Sequence, residues 1–99
     1  MSMVGTQVSI ERLSNAAAVR DFIEAQLTRI SGTRPSSPEV LGSLLRRLHH
    51  NQPAHFTVET VSLIEGVYHS CATEVPDGMR RTLLRQSLEA ARVLTAYVP

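Results

Sequence analysis

The sequence predicts an all-α domain of four helices. Three observations carry that expectation. Apolar residues recur at spacings of three and four, which lines one side of a helix. Ser and Thr caps open these runs, and Gly, Asn and Pro close them. The one candidate strand, Gln7–Ile10, has no second strand to pair with inside a single copy.

Residues 1–13 read as a loosely ordered start. Gln7–Ile10 is either a short extended segment or part of a first helix capped as early as Ser9. The first clear helix is "SNAAAVRDFIEAQLTRI", with Ser14 as N-cap. Ala16, Val19, Phe22, Ile23, Leu27 and Ile30 share one face, and Arg20, Asp21, Glu24 and Arg29 lie off it. Gly32 is the stop signal. In the second helix Ser37 caps, Pro38 takes the first turn and Glu39 meets the positive end of the dipole. Val40, Leu41, Leu44, Leu45 and Leu48 form its apolar face, and "HHNQP" ends it. Thr57 caps the third helix. Its apolar set, Val58, Val61, Leu63, Ile64, Val67, Tyr68, Cys71, Ala72 and Val75, spans about 220° of the wheel. A surface helix needs a stripe of only about 100°. The third helix is therefore central to the domain, or is covered on a second side by a partner. "PDG" marks a turn. The fourth helix runs from about Met79 to Ala96, with Leu83, Leu84, Leu88, Ala91, Leu94 and Tyr97 on one side.

Composition bounds what such a bundle can do. Ninety-nine residues fit one domain over 1–99. A chain of this size buries roughly 60–68% of its unfolded surface, so the core is modest and a second copy would enlarge it. With two Phe, two Tyr and no Trp, aliphatic side chains must fill that core. Net charge is +1 and the pI is about 8.0. A dedicated nucleic-acid domain is usually more basic, with a pI above about 9. All ten basic residues are Arg, from a GC-rich codon bias or from selection for bidentate carboxylate and phosphate contacts. One cysteine, Cys71, excludes an intrachain disulfide and fits a reducing cytoplasm. Residues 1–9 lack the pattern of a signal peptide. No apolar run approaches the ~20 residues of a membrane span.

The last helix is the basic one. Arg81, Arg85 and Arg92 fall within about 40° of one another, opposite the Leu face. Glu89 is spaced to pair with Arg85 and Arg92. Helix three carries Glu59, Glu65 and Glu74 and no Lys or Arg. A hairpin about the turn sets Glu74 near Arg80 or Arg81, and Glu65 near the level of Arg85 and Arg92. The arginines then form a solvated, internally paired face, dock on an acidic protein surface, or grip nucleic acid.

Catalytic patterns are sparse. His49, His50 and His55 lie across a helix end and loop, without the three or four well-spaced ligands a zinc site uses. Cys71 has His69 only two residues away, which on a helix points elsewhere, and it reads as a buried structural residue. There is no phosphate loop and no nucleophile elbow. No catalytic residue, cofactor or metal is expected.

The stretch "FTVETVSLIEGVYHSCATEV", a turn, and "MRRTLLRQSLEAARVLTAYVP" resemble the small helical quorum-sensing antiactivators of the QslA and TraM type. The resemblance covers roughly the last 45 residues and lies in layout and composition. It implies a cytosolic homodimer that sequesters a LuxR-type transcription factor by protein contact.

The reading that results is a non-enzymatic regulatory protein that occludes a partner's surface. Leu63 and Val67, with Leu41 and Leu45 of the second helix, are the expected contact core. Arg81, Arg85 and Arg92 are its rim. The alternative is a small nucleic-acid-binding regulator using the same arginines. A further rival uses the histidine cluster for metal or catalysis.

Overall fold

The computed structural model describes residues 15–71 and 77–99. Among the described residues four α-helices fold into a single all-helical globule: α1 (Ala16–Ser31), α2 (Pro38–Asn51), α3 (Val58–Ser70) and α4 (Arg80–Ala96). A 3-10 turn, Asp77–Met79, leads into α4. Gln7–Ile10 and Ser14 lie outside the described residues, as do Ala72–Pro76.

The local signals act where the chemistry requires. Asn15 caps α1, its Oδ1 accepting from the Ala18 N–H at 3.1 Å. That corrects the assignment of the cap to Ser14. Asn serves because its short side-chain oxygen reaches the orphan amides of the first turn. Gly32 closes α1 at φ 79, and its N–H reaches the Thr28 carbonyl; a left-handed residue here favours Gly. Ser37 Oγ accepts from Val40 N, with Pro38 opening the helix. Thr57 Oγ1 accepts from Thr60 N in the same way.

α3 is the centre, as its wide apolar arc predicts. It packs against α1, α2 and α4, and α1 also packs against α4. Ile64, Val67 and Tyr68 of α3, with Cys71 at its C-cap, are buried among Val19, Ile23 and Leu27 of α1, Leu41, Leu44, Leu45 and Leu48 of α2, and Leu83, Ala90, Ala91 and Leu94 of α4. The arc is narrower in space than on the wheel. Val58 is 62% exposed, and Leu63 and Val61 are only partly buried. The remaining outer side of α3 carries Glu59, Ser62, Gly66, His69 and Ser70.

The end of α4 is held from outside the helix. Its last carbonyls have no amide four residues on to receive, and no basic residue stands in its last turn. Arg29 of α1 donates to the Leu94 carbonyl at 2.8 Å. His55, from the α2–α3 connection, lies 3.1 Å from the Val93 carbonyl through Nε2. A carbonyl only accepts, so that nitrogen carries the proton. The His55, Phe56 and Tyr97 rings sit with centroids 4.8–5.2 Å apart, in the tilted and edge geometry that aromatic quadrupoles favour. His49 Nδ1 meets the Phe56 carbonyl at 2.7 Å, which fixes the connection from α2.

Candidate functional site

Two groups of arginines stand out, and they differ in what surrounds them. The first group lies between α1 and α3. By its spacing Glu24 lies off the apolar face of α1, yet its side chain is only 11% exposed. Buried carboxylates are tolerated when they are hydrogen-bonded and paired. Three groups meet this one. Tyr68 donates its hydroxyl to Oε2 at 2.7 Å. Arg34 reaches Oε1 at 2.9 Å, and Arg20 Nε lies 3.7 Å from Oε2. The Arg20 guanidinium also stands over the Tyr68 ring, 4.8 Å from its centroid, a cation–π contact.

Burial pushes the Tyr68 hydroxyl pKa up, and its hydrogen bond to Glu24 acts in the same direction. Burial likewise pushes up the Cys71 thiol, which the nearby Arg20 only partly offsets. A thiol held in that state is a poor nucleophile, because the thiolate is the reactive form. The carboxylate is committed to three partners. The arrangement ties the loop after α1 to the centre of the bundle. Sequence spacing does not reveal it: Glu24, Arg34 and Tyr68 lie far apart along the chain, and each looks like an ordinary surface or core residue.

The second group is the outer side of α4. Arg81, Arg85 and Arg92 are all exposed there, as predicted. Arg92 pairs with Glu89 three residues before it. The expected Glu89 contact to Arg85 does not form. The Glu65 carboxylate also turns away from this side; its tip lies over Gly42 of α2, beside that of Arg46. Glu74 lies outside the described residues. Arg80 pairs with Asp77 at 3.3 Å in nearly full solvent, where such pairs contribute little. Among the described residues Arg81 and Arg85 have no ion-pair partner. Leu88 shares this side at 41% exposure. That corrects its placement on the buried face. Leu84, one turn earlier, is partly buried against the core. From Arg81 through Arg85 and Leu88 to Arg92 the face runs about 16 Å along the helix.

The expected apolar contact core is not on the surface. Leu41, Leu45 and Val67 are each fully enclosed at 0% exposure, and Leu63 is partly buried against the same cluster. The physical reason is supply. With four aromatics and no Trp, the bundle needs its long aliphatics inside, and α3 is contacted by all three other helices. In the folded protein Arg81, Arg85 and Arg92 are exposed, and most of the expected contact core is enclosed.

The histidines divide. His50 and His69 are exposed, while His49 and His55 are half-buried and bound to carbonyls. Among the described residues no three His, Cys, Asp or Glu side chains are grouped to hold a metal. None of the described helices is long and apolar enough to cross a membrane. No family model, curated protein or solved structure matches the chain.

Proposed function

We propose that this chain is a non-enzymatic regulatory protein that acts by binding another protein through the outer side of α4. One observation carries the reading: Arg81 and Arg85 stand exposed, without a carboxylate among the described residues, beside the exposed Leu88. Charged groups ringing a small apolar centre are the ordinary composition of a protein contact. Arginine suits it because the guanidinium is weakly hydrated and binds carboxylates in a fork. Arg81, Arg85 and Leu88 are exposed and stand outside the buried core cluster, so substituting them should leave the fold intact. The resemblance of the last 45 residues to quorum-sensing antiactivators makes a transcription factor the first candidate partner, sequestered in a cytoplasmic complex.

The experiment is a pull-down from the source cytosol with tagged protein, repeated after nuclease treatment and with the Arg81→Glu, Arg85→Glu double variant. A nuclease-resistant protein should be retained by the wild type and lost by the variant, and should rebind when purified. Retention of nucleic acid alone, released steeply by salt as counterion exchange requires, would replace this reading with a nucleic-acid-binding one.

A further inference from the structure

Resting on that reading, we infer that the outer side of α4 receives an acidic amphipathic helix from a different protein, not a second copy of this chain. Charge complementarity decides the occupant. Among the described residues Arg81, Arg85 and Arg92 face outward with only Glu89 among them, which gives this side a net positive charge of two. A two-fold contact sets the same patch against itself. Two copies joined here would press four net positive charges together, and like-charge juxtaposition opposes binding. Self-association, which the modest core leads one to expect, must use another side of the molecule.

The spacing decides the shape. Arg81, Arg85, Leu88 and Arg92 follow intervals of four, three and four residues. They form a straight ridge on one helix, about three turns long. A second helix laid alongside repeats those intervals, so its carboxylates meet the arginines at every turn. Its central apolar side chain meets Leu88, with Leu84 as the inner wall of the seat. The recognised segment carries Asp or Glu at positions i, i+4 and i+11 and an apolar residue at i+7 or i+8. Arginine at the ends and leucine at the middle give register as well as attraction.

The test is a selection from a display library of helical peptides with one randomised face, using the full-length protein as bait. Peptides that win on the wild type should carry at least two carboxylates and a central apolar residue. They should bind Arg85→Glu at least tenfold more weakly. The triple variant Arg81→Glu, Arg85→Glu, Arg92→Glu should select Lys and Arg at the same positions. All baits are checked by circular dichroism, which exposed substitutions should leave unchanged. Winners with no acidic preference, or winners indifferent to Arg85→Glu, overturn the inference. So does a wild-type dimer in sedimentation that Arg85→Glu dissociates. If the cytosolic pull-down still recovers a partner through these arginines, the protein-binding reading survives that failure. If duplex DNA displaces every winner and the pull-down yields only nucleic acid, both fall together.

Discussion

The arginines around Glu24 and those on α4 are the same residue type with opposite consequences. Arg34 and Arg20 converge on a carboxylate that is 11% exposed and shared with the buried Tyr68. Arg81 and Arg85 meet only solvent among the described residues. Water decides the difference. Around Glu24 the carboxylate and the Tyr68 hydroxyl are shielded while the arginines reach out to solvent, so the hydrogen bonds and ion pairs on that buried carboxylate hold the geometry, and removing it strands its partners. Where it has access, the charge is screened and contributes almost nothing to the fold. The first set belongs to stability and the second is free to serve recognition.

Substitutions break or sharpen that contrast. The largest effect is expected from Val67→Asp. It sets an unpaired carboxylate at a completely enclosed position, a change in the class that costs more than about 4 kcal/mol. Circular dichroism should show loss of the fold, and a native helical spectrum with an unchanged melting point would contradict the core placement. Glu24→Leu is next. It orphans the Tyr68 hydroxyl at a cost of about 1–3 kcal/mol, read as a lower urea midpoint. The arginines lose less, since both reach solvent.

Tyr68→Phe sharpens the same region through pH. Burial holds the folded-state pKa of Tyr68 above its ordinary value of 10.0. The unfolded chain therefore releases this proton first. The stabilisation is complete below pH 10 and is lost as pH rises through the folded value. Cys71, raised above 9.0 by burial, adds to the same alkaline loss. Urea midpoints of the wild type should fall with rising pH on the alkaline side. Tyr68→Phe should show a shallower fall; an identical slope would remove Tyr68 from that behaviour.

Arg29→Met removes the donor to the Leu94 carbonyl at a cost of about 1 kcal/mol. Hydrogen exchange should quicken at the end of α4 and remain unchanged in α2. The smallest effect on stability is that of Arg85→Glu, within about 0.5 kcal/mol as for ordinary surface changes. It should nonetheless weaken partner capture strongly. A large loss of stability here would place Arg85 with the Glu24 group and against its role on a free surface.

The residues themselves determined the helices. Period-three-and-four apolar spacing, Ser37 and Thr57 as caps, Pro38 at a first turn and Gly32 as a stop all act within a few residues of where they stand. Each is therefore legible in the chain. The exposed arginines of α4 were legible for the same reason, since they stand opposite a leucine face on one helix. The tertiary structure alone decided three other matters. It enclosed Leu41, Leu45 and Val67, because a wheel shows which side is apolar and not how many neighbours cover it. It brought Glu24, Arg34 and Tyr68 together across different elements. It capped α4 with Arg29 and His55, residues that α4 itself does not contain. Local preferences fix where a helix begins and ends, but which distant groups stay dry together depends on how all four helices pack.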